Sequence, residues 1–149
     1  MTKAVLIACM DYRHEGKLGD ALRQTADVDY PFYLVSRAGG AGVLSQGFAQ
    51  RAEGVLFETK AAIEHLGASE VFLTVHGTCE HDSKGCGGYA LCGHGHHYET
   101  PEASRTFSHD ELRLASLRLR EEGIEVPIRT FYVTFGLNGE NLVEEVVLD

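Results

Sequence analysis

The 149-residue sequence has no apolar run approaching the ~20 residues of a membrane-spanning helix, no cluster of basic residues, no low-complexity tract and no internal repeat. The first absence predicts no membrane partner. The second, with 13 Lys and Arg against 22 Asp and Glu and a net charge of −9, argues against a nucleic-acid backbone or an anionic lipid surface as partner. An h-region is also lacking: Met1-Thr2-Lys3 leads straight into a six-residue apolar run, so a cytoplasmic location is expected. Cysteines number only four. In a chain with no export signal they are expected to be reduced, and so available for metal binding or catalysis rather than for disulfides. What remains is a chain that is 44% apolar, with 17 glycines and no linker, the length of one domain with one core over residues 1–149.

Taken in order, strand and helix patterns alternate. Ala4–Cys9 is continuously apolar and predicts a strand buried on both faces, as in a parallel sheet. Glu15–Thr25 predicts a helix with Leu18 and Leu22 on its buried stripe, and Phe32–Val35 a second strand after the Tyr30-Pro31 turn. Ser36–Gly42 is a glycine-rich strand-to-helix loop, the composition of backbone that must approach something closely. Leu44–Leu66 carries apolar residues at helical spacing, with Gly54 as a point where it could split and Gly67 as its C′ residue. Val71–Val75 predicts a third strand. Ser108 and Glu111 have the spacing of a capping box, predicting a helix from there to Glu122 that Gly123 stops. Ile128–Phe135 predicts a fourth strand and Leu142–Leu148 an edge strand. The expected fold is α/β: a mostly parallel four-stranded sheet flanked by helices, with a possible fifth strand at its edge. Right-handed crossovers would bring the ends of the first and third strands together.

Metal-ligand side chains concentrate after the third strand. Between His76 and His97 lie Cys79, Cys86 and Cys92 and five of the eight histidines. Thiolate and imidazole are the ligands zinc favours, and His76 would stand at a strand's carboxyl end, where open α/β sheets place their ligands. At the end of the first strand, Cys9, Asp11 and Arg13 alternate and would share one side of an extended chain. Taken alone, that pentapeptide equally suits a core cysteine followed by a surface ion pair.

Three motifs in one order resemble the β-class carbonic anhydrases or their small relatives: Cys9-x-Asp11-x-Arg13, then Arg37-Ala38-Gly39-Gly40 against the family's Arg-Asn-Ala-Gly, then His76-x-x-Cys79. The likeness spans about Lys3–Tyr89. It implies zinc held by Cys9, His76 and a second cysteine, with Asp11 and Arg13 as the catalytic dyad and close backbone for substrate at Gly39 and Gly40. It also implies a homodimer or higher homo-oligomer acting on a small substrate, CO2 and bicarbonate or similar. The sequence departs from the family where Cys79 is followed by Glu80-His81 rather than glycine. A Cys-Gly-Gly-Tyr occurs seven residues later, at Cys86–Tyr89, so the third ligand is Cys79 or Cys86.

The expected activity is that of a zinc-dependent lyase, hydrating CO2 to bicarbonate through a zinc-bound hydroxide. Asp11 would accept the water's hydrogen bond while Arg13 keeps Asp11 ionised. The alternative is a diverged or non-catalytic zinc-binding protein of the same fold, or a hydrolase of COS or CS2. The Cys79-Glu80-His81 stretch and the run Cys92–His97 favour that alternative.

Overall fold

The computed structural model describes residues 3–9, 17–37, 40–45, 49–76, 101–136, 138 and 140–148. The chain starts in the middle of its sheet. Strand β1 (Ala4–Cys9) is wholly buried, as six consecutive apolar residues require. The chain then passes through helix α1 (Leu18–Ala26) to β2 (Phe32–Arg37) at one edge. It returns through α2 (Gly42–Ser45) and α3 (Ala49–Leu66) to β3 (Glu70–His76) on the other side of β1. Helix α4 (Pro101–Glu121) leads to β4 (Ile128–Phe135), and β5 (Asn141–Glu145) closes the far edge. The order is β2-β1-β3-β4-β5. All pairings are parallel except β4 with β5.

This is the expected α/β architecture, with the fifth strand present as an antiparallel edge. Two apolar layers sandwich the sheet. Leu18, Leu22 and Ala26 of α1 pack with Leu6, Phe72, Phe131 and Val133 on one face. On the other, Val55 and Leu56 of α3 and Leu112, Ala115 and Leu119 of α4 pack with Val5, Ile7, Leu73 and Val75. Winding reverses between β1 and β3, and at such a point crossing helices leave opposite faces and open a crevice at the carboxyl ends of the strands.

Local chemistry explains where the elements stop and where expectation and structure differ. Helix α4 ends as expected at Gly123, whose φ of +84° lets the Ile124 amide reach Leu119 O and its own amide reach Arg120 O, the Schellman arrangement. Gly67, with φ +78°, follows the end of α3. The helix expected over Leu44–Leu66 is instead two elements, separated by residues 46–48, which lie outside the described residues. Gly54, the expected break, sits inside α3. A single glycine costs a helix only about 1 kcal/mol relative to alanine, and the buried stripe of Ala52, Val55, Leu56, Thr59 and Ala62 on either side of it outweighs that.

The capping box does not form. Helix α4 starts at Pro101, a residue suited to a first helical position, two turns before Ser108. Ser108 and Glu111 instead lie on the inner stripe of the helix, four and one residues ahead of Leu112, and are 0% and 1% exposed. Helix α1 runs Leu18–Ala26 rather than Glu15–Thr25; residues 15 and 16 lie outside the described set. Strand β5 ends at Glu145 rather than Leu148, because the ladder with β4 closes at the Phe131–Glu145 pair. No described helix is long and apolar enough to cross a membrane.

Candidate metal centre at the carboxyl edge

Of the residues the sequence nominates, Cys9, His76 and Gly40 are described. Asp11, Arg13, Gly39, Cys79 and Cys86 lie outside the described residues, as does the Cys/His-rich stretch after His76.

Cys9 is the last residue of β1 and His76 the last of β3, and the two strands are parallel neighbours. Their register pairs Ile7 with Leu73. The ladder stops there, and Cys9 and His76 follow two and three residues beyond that last pair. Both side chains are buried, His76 at 2% and Cys9 at 5% exposure. Pleat alternation assigns Cys9 to the face of Ile7 and His76 to that of Phe72, so the position both can serve lies past the carboxyl edge rather than within either apolar layer. A thiol and an imidazole there are donors of the kind zinc takes. Among the described residues, no three His, Cys, Asp or Glu side chains gather into one metal-binding group.

The loop leaving β2 crosses this edge. Its tight turn is closed by the Gly40 amide donating to Arg37 O at 3.0 Å, and the Ala41 amide then donates to Thr74 O at 3.1 Å. Gly40 has φ +55°, in the left-handed region. A Cβ on it would lie 2.8 Å from Thr74 O and 3.0 Å from Cys9 N. Only glycine therefore fits where the turn is wedged between the last residues of β1 and β3. The sequence reading of Ser36–Gly42 as backbone in close approach is realised at Gly40, and what it approaches is the strand end that carries Cys9. Arg37 turns away from the edge, with its guanidinium paired to Glu58 of α3.

Two residues at this end carry polarity the sequence reading assigned elsewhere. Helix α4 runs back along the sheet from the carboxyl to the amino edge, so its early residues lie nearest the crevice. Glu111 points its carboxylate at the start of α2: a Cβ on Gly42 would lie 3.0 Å from Oε1 and 3.4 Å from Oε2. Ser108, one turn earlier, has a buried Oγ with no hydrogen-bond partner among the described residues. Thr74, also buried, donates its hydroxyl to Ile7 O across β1 and β3 at 2.9 Å. The signal for Ser108 and Glu111 was available, since both fall on the helical stripe that continues through Leu112, Ala115 and Leu119.

No protein-family model and no characterised protein matches the chain by sequence. Solved structures do match it by shape. The β-carbonic anhydrase isoform I of the protozoan Trichomonas vaginalis superposes with a TM-score of 0.52 at 18% identity, over 97% of this chain and 81% of that one. A structure from the ascomycete Sordaria macrospora, described as one of two tetrameric β-carbonic anhydrases, gives 0.42 at 13% identity over 97% and 80%. The β-carbonic anhydrase CafA of Aspergillus fumigatus gives 0.42 at 12% over 96% and 74%. The fold to which the three sequence motifs pointed is therefore the fold the chain adopts, that of the β-carbonic anhydrases.

Proposed function

We propose that this protein is a zinc-dependent lyase that hydrates CO2 to bicarbonate. The observation that carries the reading is that Cys9 and His76, both buried, are the last residues of the neighbouring strands β1 and β3, where the sheet's winding reverses. A thiolate and a neutral imidazole fit zinc. The third protein ligand is Cys79, which keeps a two-residue interval from His76, or Cys86, which is followed by Gly87-Gly88. Zinc in such a site supplies Lewis acidity, bringing the pKa of water to about 7.

The chain's own residues do the remainder. Asp11 accepts a hydrogen bond from the attacking water and holds its lone pair towards the CO2 carbon. Arg13 favours the charged form of Asp11. Gly39 and Gly40 bring main chain close enough to line the substrate's position. The products are bicarbonate and one proton, and imidazole is the side-chain type suited to proton export near neutral pH; His81, His94, His96 and His97 follow His76 in the sequence. We further propose that residues 1–149 form one domain and that it works as a homodimer or a higher homo-oligomer.

The second reading, a non-catalytic zinc-binding protein of the same fold, is favoured by Glu80-His81 following Cys79 and by the additional Cys92 and His94–His97. One experiment separates the two: zinc content and CO2 hydration measured on the same purified sample. Stoichiometric zinc with hydration above the buffer rate is expected. Stoichiometric zinc without CO2 hydration rules out the first reading and leaves the second or a hydrolase of COS or CS2, and the absence of zinc removes all of them.

A further inference from the structure

We infer that Glu111 is a positioning residue for the strand-end site, acting through Gly42 on the turn that seats Gly40 against β1 and β3. The contacts form one line. The Glu111 carboxylate abuts Gly42 at the first residue of α2. Ala41, adjoining it, donates its amide to Thr74 O. Gly40 lies against Thr74 O and Cys9 N. Thr74 is two residues before His76. Every residue of that line is buried: Gly40, Ala41, Gly42, Thr74, Cys9 and Glu111.

A carboxylate is an expensive side chain to bury unless its oxygens are engaged, and here those oxygens are the atoms that face Gly42. What Glu111 provides is reach. Its oxygens arrive where a Gly42 side chain would begin, so the Gly42 backbone packs directly on them and the turn cannot relax towards α4. The turn thereby holds the amide of Cys9 and the carbonyl of Thr74 in fixed positions, and the two strand ends that carry Cys9 and His76 stay in register. Because Glu111 acts through Gly42 and Ala41 rather than on a ligand directly, its removal is expected to weaken metal binding by less than the factor of about 10–100 seen for direct partners of metal ligands.

Reach and charge are separated by two variants. Glu111→Gln keeps the length of the side chain and loses the charge; Glu111→Asp keeps the charge and withdraws it by one methylene. The first measurement is exchange of the Ala41 amide in metal-free protein, followed by NMR. It needs neither zinc nor activity. Glu111→Asp should exchange Ala41 about tenfold faster than the wild type, and Glu111→Gln should stay within about threefold. The second measurement is zinc affinity by chelator competition, with the same ranking. It alone rests on the zinc reading proposed above.

Gly42→Ala tests the line from the other side. Its methyl meets the Glu111 oxygens, so it should speed Ala41 exchange in the wild-type background and do so far less in Glu111→Asp, where the carboxylate has withdrawn. Thr130→Val, which removes a buried hydroxyl bonded to Val146 O, is the control for general destabilisation and should leave Ala41 unmoved. Ala41 exchange within threefold of wild type in Glu111→Asp overturns the proposal. So does a loss in Glu111→Gln as large as in Glu111→Asp, or a Gly42→Ala effect equal in the two backgrounds. If the wild type binds no zinc, the proposed function fails while the exchange results still decide the role of Glu111.

Discussion

Replacing Gly40 by alanine should be among the most damaging single-methyl changes in this protein, and its magnitude follows from two separable effects. The first is conformational. Gly40 has φ +55°, and an L-residue in that region costs about 1 kcal/mol. The second is steric. The new Cβ would stand 2.8 Å from Thr74 O and 3.0 Å from Cys9 N, both main-chain atoms in the middle strands of the sheet. Neither can swing aside as a flexible side chain would, so the strand ends must shift, at about 1–3 kcal/mol by analogy with overpacked cores. The sum is about 3 kcal/mol, or roughly 10 °C in melting temperature for a domain of this size.

Gly67 and Gly123 supply the internal standard. Both have positive φ, +78° and +84°, but no atom of the described residues stands within 4 Å of their added methyls. Gly67→Ala and Gly123→Ala should therefore show the conformational effect alone, about 1 kcal/mol each. Denaturant unfolding of the three variants reads the difference directly. If Gly40→Ala is no worse than the two controls, the turn is not wedged between β1 and β3, and the account of the site's backbone is wrong.

Cys9→Ser and His76→Ala should each abolish stoichiometric zinc binding, measured by metal analysis; full occupancy in both would remove the proposed centre. Asp11→Asn should retain zinc and lose most CO2 hydration, whereas unimpaired turnover would take Asp11 out of the mechanism. Separate Cys79→Ser and Cys86→Ser variants assayed for zinc identify the third ligand. The shorter His76–Cys79 interval predicts loss in Cys79→Ser, and loss in Cys86→Ser alone would refute that. At the opposite edge, partial burial and the hydrogen bond to Glu70 push Tyr30 up to about 12. Because the folded value lies above the unfolded value of about 10, its stabilisation is complete below pH 10 and is lost as pH rises from 10 to 12. That contribution should disappear over that interval, and Tyr30→Phe, compared by urea unfolding across pH 9–12, should flatten that part of the profile.

What the sequence made legible depended on whether the deciding interaction was local. Ala4–Cys9 and Ile128–Phe135 match strands β1 and β4 residue for residue: β1 is continuously apolar, as a strand buried on both faces should be, and β4 is bounded by Pro127 and Gly136. Gly123 stopped its helix where expected, since a left-handed C′ residue is a property of four or five neighbouring residues. The capping box at Ser108 and Glu111 failed for the converse reason. Its spacing is a local signal, but seven further helical residues precede Ser108, and both side chains lie on the buried side of the helix, Glu111 against α2. The same holds at the site. That Cys9 and His76 end neighbouring strands could be reasoned from alternating elements and crossover handedness alone. That Gly40 must be glycine because Thr74 and Cys9 press on it, and that a carboxylate 71 residues away stands behind that turn, are facts of tertiary contact. The likeness to carbonic anhydrases named the residues that would touch zinc and substrate. The residues that would hold them in place carry no motif, and they become visible only as buried polar groups at one end of an otherwise apolar helix face.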